Sequence, residues 1–384
     1  MTSQPRPAIL HCHSTFSLGG KEARAVRLMN IFGDRVRHTI LSAMPDQMGA
    51  RKAIEPHVSV DFPDEVRAPA LYGKPDPARY LALGRYFQNF DLILTYNWGA
   101  MDAVMAHRLL APVMKLPPLI HHEDGFNADE SERFNWKRSL FRRVALPTAR
   151  SVVVPSQLLE AIVRREWGSH LPVTRISNGI RVDDYAVKPL PDVIPGFARV
   201  SGDVVVGTIA GLRAVKDLPL LVEALALTPP HIRLVIAGDG PERSAIKARA
   251  DALGVADRLF MPGFMSQPAS FVGLFDMMAL SSLSEQQPIA VMEAMAAGLA
   301  VVAPPVGDAR LMVAPSNLPF IVERTAKDLA GAIMRLANDA SLRRSIGLDN
   351  RRKALAEFDE GGMVSRYARL YGHVMAHPGL FAGL

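Results

Sequence analysis

Short apolar runs alternate with segments of helical periodicity along the whole chain. In the first half, runs rich in β-branched and aliphatic residues predict strands at Ala8–His13, His38–Ser42, Asp91–Tyr96, Leu119–His122 and Ser151–Pro155. Helical patterns lie between them, notably over Lys21–Phe32 and Ser131–Leu146. This alternation is typical of parallel sheets whose strands are joined by helices, so the sequence predicts an α/β fold.

The second half repeats the alternation and predicts a second sheet. Strands are predicted at Val204–Ala210, Ile232–Ala237, Leu259–Met261, Met277–Leu280 and Ala300–Ala303, and helices at Leu218–Leu227, Arg243–Leu253 and Ile289–Ala296. The segment Val187–Pro195 between the two series is rich in proline and lacks periodicity, which is typical of an interdomain linker. We therefore expect two doubly wound, Rossmann-like domains, residues 1–195 and 196–365, and a helical tail over residues 366–384.

Composition narrows the class of protein. Hydrophobic residues make up 49% of the chain and charged residues 21%, as in a soluble globular protein. A single cysteine, the lack of a signal-peptide pattern and the lack of an apolar run that could span a bilayer predict a cytoplasmic protein. Residues 1–195 hold 25 Lys and Arg against 20 Asp and Glu, which indicates an anionic partner for the first domain.

Residues 281–313, SSLSEQQPIAVMEAMAAGLAVVAPPVGDARLMV, contain the most candidate chemistry. Glu285 follows a predicted strand, and Glu293 lies within the helix after it. Ligands bind at this edge of an open parallel sheet. The backbone from Gln287 through Pro288 and Ile289 opens the helix, where amides point toward an anion. Glu293 has apolar neighbours, so its carboxylate suits a specific hydrogen-bond donor such as a ribose diol. For Glu285 the alternative is a structural role, because a carboxylate near a helix N-terminus interacts favourably with the helix dipole.

This segment resembles family 4 of the retaining GT-B glycosyltransferases, whose pattern is two glutamates eight residues apart, then Ala-Met-Ala-x-Gly and Val-Val-Ala. The resemblance implies that Glu293 binds the nucleotide ribose and that Glu285 faces the donor sugar near its anomeric centre. Gly211-Leu-Arg-Ala-Val-Lys216 is similar to the family's phosphate-binding loop, which implies that Lys216 and Arg213 neutralise the leaving diphosphate. Gly211 stands where the family has arginine.

Other segments extend the resemblance along the chain. Met261-Pro-Gly-Phe264 is similar to the loop beside the nucleotide base, which implies a base contact for Phe264. Ser17-Leu-Gly19-Gly20-Lys21-Glu22 resembles the family's Gly-Gly-x-Glu loop, in which Gly19 and Gly20 let the backbone approach the donor. A tight turn with Glu22 in the first helical turn would give the same pattern.

The polar residues His121-His122-Glu123-Asp124-Gly125 end a predicted strand. In similar enzymes this loop supplies a histidine close to the donor sugar or acceptor, which implies a catalytic role for His122 or Asp124. A loop that caps the following structure is the alternative.

Neither a metal nor a cofactor is expected. His11 and His13 face the same side of the first strand, but no third ligand accompanies them. The chain also lacks the Asp-x-Asp motif by which metal-dependent glycosyltransferases hold a divalent ion. The small molecule we expect is a nucleotide-diphosphate sugar, bound as the donor substrate.

The predicted helix Ser131–Leu146 interleaves aromatic and basic residues. Such a helix could lie on an anionic membrane. It could also pack its apolar stripe on the sheet and leave its arginines in water, which is the commoner arrangement and the one we favour.

The resemblance implies a GT-B fold, two Rossmann-like domains facing across a cleft, with the C-terminal helix packed back on the N-terminal domain. It implies a metal-independent retaining hexosyltransferase that serves cell-envelope polysaccharide, lipopolysaccharide or glycolipid synthesis. The expected partners are a nucleotide-sugar donor, a carbohydrate or lipid-linked acceptor and the inner face of an anionic membrane, and no nucleic acid.

Three alternatives stay open. A GT-B epimerase or phosphorylase would share the motifs. A Rossmann oxidoreductase would share the fold, but Gly238-Asp-Gly240 lacks the third glycine of its fingerprint, where Arg243 stands. A non-catalytic protein that binds nucleotide sugar or carbohydrate is kept open by Gly211 in place of the family's arginine.

Overall fold

The computed structural model describes residues 6–17, 19–64, 66–74, 76–125 and 135–384, which form two compact units. Unit 1 comprises Met1–Ile176 and Met363–Leu384, and unit 2 comprises Ser177–Gly362. Each unit contains a parallel sheet with its own hydrophobic core.

Unit 1 is built on seven parallel strands: β1 (Ala8–His13), β2 (Arg37–Ser42), β3 (Val60–Asp61), β4 (Leu92–Tyr96), β5 (Leu119–His122), β6 (Ser151–Val154) and β7 (Val173–Arg175). Their order is β3-β2-β1-β4-β5-β6-β7, so the strand order reverses between β1 and β4. The helices are α1 (Gly20–Phe32), α2 (Pro77–Phe87), α3 (Met101–Leu110), α4 (Trp136–Ala145), α5 (Gln157–Ile162) and, near the C-terminus, α12 (Glu360–Val374). β1, β4, β5 and β6 are buried throughout, as strands covered on both faces must be.

Unit 2 contains a five-stranded parallel sheet: β8 (Val204–Ile209), β9 (Ile232–Ala237), β10 (Leu259–Gly263), β11 (Met277–Ala279) and β12 (Ala300–Val302). The order β10-β9-β8-β11-β12 reverses between β8 and β11. The helices are α6 (Leu218–Ala226), α7 (Arg243–Ala252), α8 (Ile289–Ala296), α9 (Ala309–Met312), α10 (Ala326–Ala337) and α11 (Ala340–Glu357). Within the described ranges, none of the helices has the length and apolarity needed to span a membrane.

The two-sheet α/β fold predicted from the sequence is confirmed. The predicted bounds of β1, β5, β9 and α8 match those of the structure. β3 and β7 were not predicted, because two or three residues at the edge of a sheet are too few to give a periodic signal.

The predicted boundary at residue 195 is wrong. The chain passes from unit 1 to unit 2 between Ile176 and Ser177, so Val187–Pro195 belongs to unit 2 and is not a linker. Ile194 and the nearby Phe197 are buried in the core of unit 2. Isolated apolar residues among prolines anchor this segment, and an analysis of periodicity does not detect them.

The chain returns to unit 1 at Met363, three residues before the start of the predicted tail. Tyr367 and Tyr371 of α12 are buried in one cluster with Ile9 of β1 and Phe32 of α1. The last helix is therefore part of the core of unit 1.

Helix α4 differs from the favoured interpretation of residues 131–146. Residues 131–134 lie outside the described residues, and the helix runs from Trp136, with the Asn135 side chain accepting from the first amides. Arg142 is fully buried, whereas Trp136 is 69% exposed. Phe141 packs against the core of unit 1 and Arg143 is exposed, as expected, but the burial of Arg142 and the exposure of Trp136 contradict the rest of this interpretation.

Candidate functional site

The candidate site of unit 2 lies where the strand order reverses. β8 and β11 are neighbours, and the loops that leave their carboxyl ends carry Lys216 and Glu285. The Lys216 ammonium lies 2.5 Å from Oε1 of Glu285. The crevice at such a reversal is where open α/β sheets bind ligands. The two residues implied for the diphosphate and the sugar are therefore in direct contact.

Hydrogen bonds hold this pair in place. The Ser282 hydroxyl donates to Oε1 of Glu285 at 2.8 Å, and the Ser281 hydroxyl donates to the Lys216 carbonyl at 3.0 Å. Both side chains are mostly buried, 19% exposed for Lys216 and 11% for Glu285. Lys216 is therefore part of a built charge pair and not a solvated lysine at a helix start.

Gly307 packs closely against the backbone of the loop that contains Glu285. Gly307 has φ of 54°, and a Cβ there would lie 2.5 Å from the Glu285 carbonyl oxygen and 2.6 Å from that of Gln286. The Asp308 amide donates to the same Gln286 carbonyl at 2.9 Å. Only a residue without a side chain allows this approach.

The loop with Gly211 and Arg213 is supported by the Gly238–Gly240 turn. The Leu212 amide donates to the Asp239 carbonyl at 2.9 Å, and a Cβ on Gly238 would lie 1.8 Å from the Ala210 carbonyl oxygen. The two glycines therefore serve close packing of this loop. Arg213 itself is exposed, three residues before Lys216.

Glu293 is buried within α8 and accepts a hydrogen bond of 3.2 Å from the Tyr185 hydroxyl. Burial raises the pKa of the Glu293 carboxyl to about 7, and the bond from Tyr185 opposes this rise. Tyr185 was not identified from the sequence. It is 108 residues from Glu293 along the chain, and no motif marks it.

At the start of α8, the groups that could bind an anion are backbone amides and not side chains. Gln287 is occupied, because its amide nitrogen donates to the Ser177 hydroxyl at 2.7 Å and its oxygen accepts from the Asn178 amide at 2.8 Å. Pro288 is the N-cap residue and Ile289 the first helical residue, with no side-chain cap. The first amides of the helix are therefore available to an anion.

Phe264 lies apart from the charge pair. It follows β10, two strands from β8, and is 73% exposed. The preceding Gly263 accepts from the Gly238 amide at 2.8 Å and adopts φ of 95°. A base contact for Phe264 stays a prediction.

In unit 1, Gly19 and Gly20 begin α1 directly after β1, at the reversal of that sheet. Glu22 is buried and forms an ion pair with Lys21. A Cβ on Gly19 would lie 2.9 Å from Oε2 of Glu22, so the glycine lets this carboxylate fold back over the turn.

His122 lies in the core of unit 1, and a catalytic role for it stays a prediction. The side chain is buried, with Nε2 2.8 Å from the Tyr371 hydroxyl and Nδ1 3.3 Å from the Thr95 carbonyl oxygen. Burial lowers its pKa to about 3, with Arg24 adding to the effect. The contact with Tyr371 links this ring to α12, and the lowered pKa keeps the ring neutral near neutral pH.

Asp124 is paired with Arg24 of α1. The two guanidinium nitrogens lie 2.5 Å and 2.8 Å from its two oxygens. Burial opposes ionisation, but the guanidinium outweighs it and holds the pKa of Asp124 below its usual value. This bidentate ion pair fits a role in fixing the loop better than a role as a free catalytic carboxylate.

His11 and His13 share one side of β1, as predicted, with ring centroids 6.3 Å apart. His11 contacts the Tyr96 hydroxyl at 3.1 Å and Nδ1 of His38 at 3.0 Å, and the His13 ring stacks on Tyr96 at 4.1 Å. Over the described part of the chain, no group of three or more His, Cys, Asp or Glu is arranged to hold a metal ion.

Two doubly wound parallel units in one chain constitute the GT-B class of fold. Residues 194–353, most of unit 2, match the family model described as glycosyl transferases group 1. Unit 2 is therefore similar to the glycosyl transferases group 1 family over most of its length.

Curated relatives match part of the chain. N-acetyl-alpha-D-glucosaminyl L-malate synthase of Bacillus anthracis is 27% identical over 170 residues, 44% of this chain and 45% of the relative. Lipopolysaccharide core biosynthesis glycosyltransferase LpsD of Rhizobium meliloti (strain 1021) is 26% identical over 224 residues, 55% of this chain and 61% of the relative. The chain thus spans about half the length of the curated relatives it matches.

Solved structures match over nearly the whole chain. HepE of Anabaena in complex with UDP has a TM-score of 0.79 and 22% identity, covering 95% of this chain and all of HepE. Sucrose-phosphate synthase from Thermosynechococcus elongatus has a TM-score of 0.75 and 19% identity, covering 96% of this chain and 99% of the synthase. At this identity the likeness concerns the fold.

Proposed function

We propose that this protein transfers a hexosyl unit from a nucleoside-diphosphate sugar to an acceptor hydroxyl, with retention of configuration at the anomeric carbon. The observation that carries the proposal is the contact of 2.5 Å between Lys216 and Glu285 at the strand reversal of unit 2, in the loop that leads into α8. The family match of unit 2 supports a transferase. The complexes of HepE with UDP and UDP-glucose support a nucleoside-diphosphate sugar as the donor.

The diphosphate binds the N–H groups of Lys216 that Glu285 leaves open, together with the first amides of α8. Arg213, exposed in the same loop, adds a second cation and takes the part of the arginine that Gly211 replaces. As the bond from the anomeric carbon to the phosphate oxygen breaks, its electron pair stays on that oxygen. These groups stabilise the charge that develops there.

Glu285 faces the sugar and stabilises the positive charge that develops at the anomeric carbon. The acceptor oxygen bonds to this carbon on the face that the phosphate leaves, and the acceptor proton passes to the departing phosphate oxygen. No covalent intermediate with the protein forms. The bond from Ser282 and the ion pair with Lys216 keep the Glu285 carboxylate in place before substrate arrives.

Glu293 accepts hydrogen bonds from the ribose hydroxyls. Its Oε1 takes the bond from Tyr185, so the second carboxylate oxygen is left for the nucleotide. Burial among apolar residues strengthens such bonds, since little water competes for the carboxylate.

The reaction needs no metal and no cofactor. The chain lacks an Asp-x-Asp motif, and Lys216, Arg213 and the amides of α8 supply the positive charge that a divalent ion would provide.

The acceptor is a saccharide or a lipid-linked saccharide of the cell envelope. The names of two relatives, a lipopolysaccharide core glycosyltransferase and an O-antigen biosynthesis glycosyltransferase, support this class. Both kinds of acceptor are consistent with a protein at the cytoplasmic face of an anionic membrane.

A donor screen tests the proposal. UDP-, GDP- and ADP-sugars are added to the full chain, and the melting temperature and nucleotide release are followed with and without acceptor saccharides. We expect one nucleotide class to raise the melting temperature, since binding to the folded state stabilises it. Lys216→Ala should reduce this rise, whereas Lys247→Ala, at an exposed site on α7, should not.

Two outcomes would contradict the proposal. Nucleotide binding that Lys216→Ala leaves unchanged would move the donor site elsewhere. Binding without turnover for every acceptor would favour the non-catalytic alternative, and chromatography of the products distinguishes transfer from epimerisation.

A further inference from the structure

Helix α4 presents an apolar stripe to solvent. Trp136, Leu140 and Val144 are spaced four residues apart, so they lie on one face, and they are 69%, 52% and 49% exposed. Single exposed apolar residues are ordinary, but three in register on one helix form a continuous surface.

Cations flank this stripe on both sides. At about 100° per residue, Arg143 lies about 20° to one side of Trp136, and Lys137 lies about 100° to the other side, beyond Val144. Both are exposed, and the Lys137 ammonium is 5.8 Å from the centroid of the Trp136 ring. From Trp136 to Arg175 the chain holds eight Lys and Arg against two Glu, and seven of these cations, all except the buried Arg142, are exposed or partly exposed.

The inner face of α4 fixes this orientation. The buried Arg142 guanidinium lies 4.5 Å over the Trp167 ring and 5.0 Å over the Trp98 ring. It also lies 3.5 Å from the buried Glu123 carboxylate. A rotation that buried the apolar stripe would separate this ion pair and leave the buried Glu123 with only His121, at 3.7 Å, beside its carboxylate among the described residues, which is unfavourable. The stripe therefore stays outside.

We infer that α4 is a membrane-contacting element that lies in the interface of an anionic bilayer. Trp136, Leu140 and Val144 enter the boundary of the acyl chains, and Lys137 reaches the lipid phosphates. Arg143 donates through Nε to the Glu166 carbonyl oxygen at 2.5 Å, and its terminal nitrogens contribute to the positive charge beside the stripe. Tryptophan beside cations is the composition that bilayer interfaces favour, and the local excess of positive charge complements anionic headgroups. The inference identifies a surface for the membrane contact in the proposed function. It rests on the proposed function only in the choice of acceptor.

Vesicle binding of the full chain tests this inference. The protein is mixed with phosphatidylcholine vesicles that contain phosphatidylglycerol, and with vesicles of phosphatidylcholine alone. We expect co-sedimentation and a blue shift of tryptophan emission with the anionic vesicles only, both weakened by salt. Trp136→Phe should remove most of the blue shift and preserve sedimentation, because Trp98 and Trp167 lie in the core of unit 1.

Leu140→Ser is expected to weaken vesicle binding about tenfold, the ratio that corresponds to burying one leucine side chain. Leu348→Ser, at a site 63% exposed on α11 of unit 2, is the matched control and should bind as the unaltered chain does.

The inference is overturned if anionic vesicles do not bind the chain, or if Leu348→Ser weakens binding as much as Leu140→Ser. A change of oligomeric state on Leu140→Ser, with vesicle binding intact, would show instead that the stripe joins two copies. Donor binding measured on the same samples separates the two ideas. Loss of vesicle binding with donor binding preserved would contradict only this inference. Vesicle binding in a chain that does not bind donor would contradict only the proposed function.

Discussion

The hydroxyl of Tyr185 donates a hydrogen bond of 3.2 Å to the carboxylate of Glu293. Tyr185 lies in the first turns of unit 2, and Glu293 lies on α8. The bond opposes the effect of burial, which raises the pKa of Glu293 to about 7. It therefore helps to keep the carboxylate ionised near neutral pH, the form that the proposed function requires for binding the ribose hydroxyls.

Tyr185→Phe is expected to raise the pKa of Glu293 further, because the opposing hydrogen bond is lost. The pH above which nucleotide binds tightly should then move upward, since the carboxyl must lose its proton first. Calorimetric titration with nucleotide across pH measures this midpoint. Asp184 and Arg181 lie beside Tyr185, and Arg351 of α11 binds the Ala296 carbonyl of α8. These three charged groups are unchanged in Tyr185→Phe, so they do not contribute to a difference in the midpoint between the variant and the unaltered chain.

Tyr72→Phe, at an exposed site of unit 1, is the control and should keep the original midpoint. Equal midpoints in Tyr185→Phe and the unaltered chain would show that the bond only stabilises the fold.

Lys216 and Glu285 should act as a unit in transfer. Lys216→Ala removes a cation that faces the leaving phosphate and is expected to lower kcat by about 10²–10³, as for loss of one oxyanion-stabilising donor. Glu285→Gln should also lower kcat. The double variant should lose less than the product of the two effects, because each change breaks the same pair. Steady-state rates of nucleotide release give the four values, and strict multiplicativity would argue that the two residues act independently.

Gly307→Ala should disturb the Glu285 loop. The added Cβ would lie 2.5 Å from the Glu285 carbonyl oxygen, and φ of 54° is strained for alanine. We expect a loss of about 1–3 kcal/mol in the free energy of unfolding, together with weaker donor binding. Gly331→Ala is a control of opposite sign, because that glycine lies in α10 with open space around it and should gain stability. Urea unfolding of both variants checks the prediction.

Acid should destabilise unit 1 through its buried histidines. Burial lowers the pKa of His11, His13, His38 and His122, so these rings stay neutral in the folded chain but bind protons below pH 6.5 when it unfolds. Their contribution is complete above that value and is lost as pH falls toward the folded pKa. From pH 6.5 to pH 5 each ring should cost about 2 kcal/mol of unfolding free energy.

His13→Phe is the informative variant, because His13 stacks on Tyr96 and its ring nitrogens are buried without hydrogen-bond partners. It removes one titrating group, so the fall in urea midpoint between neutral and acidic pH should be smaller. His231→Gln, at an exposed position, should leave the slope unchanged. An unchanged slope in His13→Phe would contradict the assignment.

Metal removal should leave transfer intact. Chelation with EDTA is expected to preserve the initial rate, since in the proposed function Lys216, Arg213 and the amides of α8 supply the positive charge at the diphosphate. Restoration of a lost rate by Mg²⁺ or Mn²⁺ would contradict metal independence.

The sequence predicts the strands well because buried parallel strands are continuous apolar runs. Ala8–His13 and Ile232–Ala237 are examples whose bounds match the structure. Edge strands such as Val60–Asp61 give no such run. The motifs that contain Lys216 and Glu285 also predict that both residues lie in loops after strands, and the parallel sheet brings these two loops together.

The remaining features depend on contacts between distant segments. Tyr185 reaches Glu293 only through the fold, and Tyr371 buries His122 from the other end of the chain. The orientation of α4 depends on Glu123, Trp98 and Trp167, which lie outside the helix that contains Arg142. Helical periodicity alone predicts that an arginine such as Arg142 is exposed to water, because the sequence does not show that these partners lie next to it.

The return of the chain to unit 1 bears on how the protein folds during synthesis. A nascent chain that has left the ribosome as far as Gly362 contains all of unit 2 but lacks Tyr367 and Tyr371 of the unit 1 core. We therefore expect the core of unit 1 to be completed only after the last residues have been made, whereas unit 2 has all of its residues earlier. An interruption of translation near residue 362 would yield a finished second unit attached to an incomplete first one.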